Sequence, residues 1–162
     1  MWTIIWIILL LIVVYQGYKL YKWKRLELDF TNKTIFITGG SSGIGEALTK
    51  NFVQLGAKKV IIASRNVKEM ERVKNESGSP DKIDYMQLDL SKPEECLKKV
   101  EDFLSKTQDK IDIVFNNAGL TMRDLFVNTD FSTCQYMLNT NCLSHIAITK
   151  AFLPHFIKYN SG

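Results

Sequence analysis

The pattern of apolar and polar positions divides the chain into a head and a body. Residues 1–15 read MWTIIWIILLLIVVY, with Thr3 the one non-apolar member, and residues 1–18 carry no charge. Beyond Lys33 the pattern changes to short β-branched and aromatic runs that alternate with longer segments of helical periodicity. Thr34–Thr38 is a strand, followed by Gly39-Gly40-Ser41-Ser42-Gly43. Ile44, Ala47, Leu48, Phe52 and Leu55 then recur at helical spacing until Gly56 stops the helix. Val60–Ala63 is a second strand, Val67–Asn75 a charged helix, and Ser77–Pro80 a loop. Ile83–Leu88 is a third strand. Pro93 starts a helix whose apolar face is Leu97, Val100, Phe103 and Leu104 and which runs to Ser105. Ile111–Phe115 is a fourth strand, and a long helical stretch over 131–159 is expected to bend at Pro154.

Strands of four to six residues between longer helices mean βαβ units and a mostly parallel sheet. The runs IFI, VIIA and IVF lack polar alternation, as strands do when helices cover both faces of a sheet. The expected architecture is therefore α/β: a Rossmann-like, doubly wound parallel sheet over 34–162, preceded by a transmembrane helix over 1–18 and a basic, aromatic flank and linker over 19–33.

At 1.5 Å per residue the uncharged head gives about 27 Å of helix, short but adequate for a thin bilayer such as the endoplasmic reticulum. Lys19 and Lys22 can snorkel to the interface, and Trp2, Trp6, Tyr15, Tyr18, Tyr21 and Trp23 form belts at its two ends. A cleaved signal peptide would carry its basic residues before the apolar run, whereas here KLYKWKR follows it. The expectation is a retained single-pass anchor in the lipid bilayer, with the body on the cytoplasmic side by the positive-inside tendency.

Charge changes the picture only once it is divided. The chain has 21 basic and 17 acidic residues, but Lys19, Lys22, Lys24 and Arg25 precede the first acid, so the rest is formally neutral. A basic patch for nucleic acid is not expected. Apolar residues make up 46% of the chain, which excludes disorder. Cys96, Cys134 and Cys142 have no CxxC spacing, and His145 and His155 lack a ligand pattern; all five read as ordinary helix or core residues, with no metal expected.

The chemistry concentrates at Thr38-Gly39-Gly40-Ser41-Ser42-Gly43-Ile44-Gly45, between a strand and a helix. A tight turn, a close backbone approach to a phosphate and close helix–sheet packing each favour glycine, and Gly39, Gly43 and Gly45 have the spacing for those three jobs. The N–H groups of the first helical turn would face a pyrophosphate.

TGGSSGIG resembles the TGxxxGxG cofactor motif of the short-chain dehydrogenase/reductase family, and Asn116-Asn117-Ala118-Gly119 after the fourth strand resembles its NNAG motif. Asp89-Leu90 looks like the acidic residue and backbone that meet the adenine. Asn141 matches the helix asparagine that helps hold a proton-relay water. The likeness extends over Phe30–Gly162. It implies a nicotinamide cofactor held by Gly39, Ser41, Ser42, Gly43, Ile44, Gly45, Ser64, Arg65, Asp89, Leu90, Asn116, Ala118 and Gly119. Ser64 stands at the usual acidic position at the end of the second strand and Arg65 follows it. Without a carboxylate to hold ribose hydroxyls, and with a guanidinium to meet a phosphate, NADP(H) is favoured over NAD(H). A solvent-facing Arg opening a loop is the competing reading.

The family's catalytic Ser and Tyr-x-x-x-Lys have no counterpart after Asn141. The expectation is the cofactor half of such a reductase, truncated before its fifth strand, with Asn141 its one auxiliary catalytic residue. The full-length family form would act on a small-molecule carbonyl or alcohol, of lipid-like type if the anchor places it near a bilayer, and can dimerise. The alternative class is a non-catalytic nucleotide-binding or interaction protein, or an inactive fragment.

Overall fold

The computed structural model describes residues 2–24 and 29–162, with the side chains at 3, 4 and 22–24 outside the description. Part of the expected linker, residues 25–28, lies outside the described residues. Helix α1 (Trp2–Lys24) is followed by β1 (Thr34–Thr38), α2 (Gly43–Gln54), β2 (Lys59–Ser64), α3 (Val67–Glu76) and β3 (Ile83–Gln87). Then come α4 (Pro93–Lys106), β4 (Ile113–Phe115), α5 (Phe131–Leu138) and α6 (Ser144–Tyr159).

The strands form one parallel sheet in the order β3-β2-β1-β4, with Phe36 of β1 opposite Ile61 of β2 and Val114 of β4. Alternate residues of β1 supply two cores. Ile35 and Ile37 join Val60 and Ile62 under Phe52 and Val53 of α2 and Met70 and Val73 of α3. Phe36 joins Ile61 and Ala63 under Val100 of α4 and Ile148 and Phe152 of α6. Both faces of β1 are covered, which is why its sequence is apolar throughout. Tilted ring pairs close each core, Phe36–Phe152 at 5.0 Å between centroids and Phe52–Phe115 at 4.9 Å. Such pairs contribute about 0.5–1.5 kcal/mol beyond their burial.

Three expectations need correction. Ile44 and Leu55 are 75% and 55% exposed, so the buried face of α2 is Gly45, Thr49, Phe52 and Val53. Ile44 lies in the first turn, beside the open cleft described below. β4 is shorter than 111–115: the Ile111 N–H donates to His155 Nε2 at 2.9 Å, and Asp112 meets Thr34 of β1 partly through its side chain, the carboxylate accepting from the Thr34 N–H at 2.9 Å while the Asp112 N–H donates to the Thr34 carbonyl at 2.8 Å. The break in the long helical stretch is a π-helical turn at Asn139–Leu143, and α6 continues through Pro154.

Among the described residues no helix is long and apolar enough to cross a membrane. Helix α1 runs 23 residues, from Trp2 to Lys24, and includes Gln16 and Lys19. Its apolar side chains, from Ile5 to Val14, are exposed all round the helix.

Candidate functional site

The carboxyl ends of parallel strands converge on one edge of the sheet, and the turns that leave them build a cleft there. The turn after β1 is set by three glycines in different ways. Gly39 has φ +70°, and a Cβ on it would stand 2.9 Å from Ala118 Cα. A Cβ on Gly45 would run into the Gly39 carbonyl oxygen and stand 2.7 Å from Asn117 Nδ2, so α2 reaches the strand only because that atom is missing. Gly43 has φ +53° and faces open space. Ser42 precedes α2 in extended conformation, and its side chain makes no capping hydrogen bond. The first N–H groups of α2 therefore lack an intrahelical or capping partner.

Thr38 joins this turn to the segment after β4. Its Oγ1 accepts from the N–H groups of Asn117 and Ala118, each at 3.0 Å, while Asn117 Nδ2 donates to the Thr38 carbonyl at 3.0 Å. Thr38 is fully buried. On the β2 side, the Gly39 N–H donates to the Ala63 carbonyl at 2.7 Å and Ser41 Oγ to Ser64 Oγ at 2.8 Å. Arg65 is exposed; its Nη1 donates to Tyr136 Oη on α5 at 2.7 Å.

These turns enclose a cleft of about 330 Å³. It brings together most of the residues singled out from sequence: Gly39, Ser41, Ser42, Ile44 and Gly45 from the first turn, Ser64 and Arg65 after β2, Asp89 and Leu90 after β3, and Ala118 and Gly119 after β4. Gly43 is not part of its lining. Asn116 is turned away, its Nδ2 donating to Thr149 Oγ1 of α6 at 2.9 Å, and Asn117 stands in the cleft wall instead. Two adjacent asparagines at a strand end point in opposite directions, and the sequence does not say which one faces inward. Ser91, Leu120 and Thr140 also line the cleft and were missed, since none belongs to the motif segments.

Asn141 lies in the π-helical turn, and its amide clamps one peptide unit: Oδ1 accepts from the Leu120 N–H at 2.9 Å and Nδ2 donates to the Leu120 carbonyl at 2.8 Å. Its direct effect is to hold the chain after Gly119 against the helix. π turns of this kind recur at functional sites.

Electrostatics in the cleft are mixed. Burial pushes the Asp89 carboxyl up, but hydrogen bonds from the Ser91 N–H and hydroxyl, with attraction from Arg65 and Lys92, outweigh it and hold the group below its ordinary value. Behind the glycine turn, Arg72 of α3 bonds both carboxylate oxygens of Glu46, at 3.1 and 2.8 Å, and Lys50 adds a third contact at 2.7 Å. Arg72 and Lys50 together lower the Glu46 carboxyl to about 2. Cys96 is buried beneath the cleft and donates its thiol to the Asp89 carbonyl, and burial raises the thiol to about 11, which makes it unreactive.

The family model described as short chain dehydrogenase matches residues 33–162. Mouse dehydrogenase/reductase SDR family member 7 is 33% identical over 148 residues, a match that covers 86% of this chain and 42% of that protein. The Arabidopsis thaliana 11-beta-hydroxysteroid dehydrogenase 1A is 34% identical over 131 residues, covering 79% of this chain and 37% of that one. Among solved structures, a serine dehydrogenase complexed with NADP+ superposes with a TM-score of 0.69 at 28% identity over 80% of this chain and 51% of its own. The chain thus spans less than half the length of these curated relatives.

Proposed function

This chain belongs to the short-chain dehydrogenase family, and from that premise we propose that residues 34–162 hold a nicotinamide dinucleotide, NADP(H) in preference to NAD(H), for an oxidoreductase acting on a carbonyl or alcohol. The observation that carries this reading is the cleft itself. Its floor is a turn in which Gly39 and Gly45 leave no room for a Cβ, Ser42 and Ile44 bring the unpartnered N–H end of α2 to its edge, and it ends at Ser64-Arg65 where a carboxylate would stand in an NAD site. That donor set suits a pyrophosphate at the helix end and an added phosphate near Arg65.

When bound, the nicotinamide supplies the hydride. The protein's part here is to hold and orient it. The first turn of α2 neutralises phosphate charge with oriented N–H groups. Asp89 and the Leu90 backbone would take the adenine, and Ala118, Gly119 and Asn117 the wall beyond the ribose. Asn141 keeps Leu120 and the preceding Gly119 in register with that wall. Residues 34–162 contain no Tyr-x-x-x-Lys, so the role proposed for them is to hold the cofactor and not to move the proton at the substrate oxygen.

Attachment to a bilayer through residues 1–18 is part of the same reading. Its support is the uncharged run Met1–Tyr18 and the basic residues behind it, and it favours an apolar substrate and an endoplasmic reticulum address with a cytoplasmic body. Retention on membranes through an alkaline carbonate wash, lost in a chain starting at Leu26, is expected; full-length protein in the soluble fraction would refute it.

The nucleotide assignment is tested by titration. NADPH should bind more tightly than NADH, and Arg65→Ala should weaken NADPH by about 10- to 150-fold, the equivalent of a charge-assisted hydrogen bond of about 1.5–3 kcal/mol. Equal affinity for the two nucleotides before mutation would defeat it.

A further inference from the structure

Arg65 is gripped at both ends. Gln87 Nε2 of β3 donates to its backbone carbonyl at 3.1 Å, and its guanidinium donates to the phenol oxygen of Tyr136, 71 residues away on α5, at 2.7 Å. The loop that carries it is pinned in turn, since Ser64 Oγ accepts from the Asn66 N–H at 3.4 Å and the Asn66 side chain caps α3 through the Glu69 N–H at 3.3 Å. An exposed arginine otherwise has its rotamer entropy to lose when it is fixed on a ligand. Tyr136 removes part of that cost in advance.

The chemical type of the partner matters as much as its position. Arg65 and the Asp89 carboxylate both line the cleft and attract each other. A carboxylate partner would cancel the guanidinium charge and occupy two of its donors in a bidentate pair. A phenol oxygen accepts one N–H, leaves the charge whole and leaves four of the five N–H donors for another acceptor. Tyr136 also keeps its own O–H to donate. Tyr136 is half-buried and does not line the cleft, so it acts through Arg65.

We propose that Tyr136 is a specificity-determining positioning residue: by accepting from Arg65 it keeps the guanidinium at the cleft mouth and away from Asp89, so that discrimination between a nucleotide with a ribose phosphate and one without depends on the phenol oxygen. This inference rests on the NADP(H) reading given above.

The experiment is equilibrium titration of the full chain with NADPH and NADH, and with 2′,5′-ADP and 5′-AMP as the matching fragments, for wild type, Tyr136→Phe, Arg65→Ala and the double variant. Phe keeps the ring and removes only the oxygen. The expected result is a loss of about 3- to 10-fold for NADPH and 2′,5′-ADP, the size of one neutral-acceptor hydrogen bond, with NADH and 5′-AMP unchanged. In the Arg65→Ala background the same change should have no further effect. An unchanged NADPH/NADH ratio in Tyr136→Phe overturns the inference, as does an equal loss for all four probes, which marks a structural role. Tighter NADPH binding also overturns it, because the phenol would then be competing with the phosphate. If Arg65→Ala abolishes the ratio while Tyr136→Phe leaves it intact, only this inference fails; if the wild type shows no ratio, the underlying cofactor reading fails.

Discussion

Thr38 and Asn117, 79 residues apart, are joined by two hydrogen bonds: the Asn117 N–H donates to Thr38 Oγ1 and the Asn117 amide to the Thr38 carbonyl, both at 3.0 Å. The same hydroxyl accepts from the Ala118 N–H, so one buried oxygen serves two consecutive peptide groups. Thr38→Val keeps the shape and leaves both donors without that acceptor. An unsatisfied buried donor costs about 1–3 kcal/mol, so a loss of about 2–4 kcal/mol is expected in urea unfolding, together with weaker NADPH binding. Wild-type stability in this variant would show that the hydroxyl is dispensable.

The glycines of the turn should separate into two behaviours. Gly45→Ala forces a Cβ against the Gly39 carbonyl oxygen, so helix and strand must move apart, at about 1–3 kcal/mol or more. Gly43→Ala meets no atom, but its φ of +53° makes alanine strained by about 1–2 kcal/mol, and the helix propensity of alanine gives no offset in that conformation. Its Cβ projects into open space beside the cleft, so NADPH affinity should fall further than the thermal midpoint. Equal nucleotide affinity in Gly43→Ala and wild type would remove Gly43 from the phosphate site.

His155 predicts a pH dependence of stability. Its Nε2 accepts from the Ile111 N–H, which requires the neutral ring. Burial and the nearby Lys158 lower its pKa, with Asp112 pulling the other way. A folded-state value below the unfolded one means the unfolded chain binds the extra proton first, so this contribution is complete above the ordinary histidine value of about 6.5 and is lost as pH falls through the folded value. His155→Phe should cost about 1–3 kcal/mol at pH 7.5 and flatten the stability curve below pH 6.5. Parallel curves for the two proteins would contradict the bond.

Glu46 gives a second, more acidic signature. Arg72 and Lys50 hold its carboxyl at about 2, so its contribution is complete above the ordinary value near 4.5 and is lost as pH falls through about 2. The network lies near the surface, and Glu46→Gln should cost about 1 kcal/mol at pH 7 and low salt. The difference from wild type should shrink in high salt and close near pH 2. A salt-independent difference would point to packing rather than charge.

The parts of this structure legible in the sequence are those where local chemistry and tertiary context agree. Thr34–Thr38 is apolar because both faces are buried, and the glycine turn is written in residues that a Cβ would break. The fourth strand was overextended because Ile111 looks like any strand residue, while its N–H is claimed by a histidine 44 positions later. Pro154 sits within α6, and the π-helical turn at Asn139–Leu143 follows no propensity signal. Asn116 and Asn117 differ only in direction. The Arg65–Tyr136 contact joins residues that no local pattern links.

The alternation of β1 has a consequence for how variation in this chain should be read. Ile35 and Ile37 on one face and Phe36 on the other fix which way the strand sits, because a slip of one residue would exchange the two sets. The same slip would carry Thr38 and Gly39 about 3.3 Å along the sheet, away from Asn117 and Ala63. The hydrophobic core thus acts as the ruler from which the cleft is measured. A substitution at Phe36, with no atom in the cleft, is a change to the proposed nucleotide site at a distance of three residues, and a screen that sorts variants into core and site would place it in the wrong class.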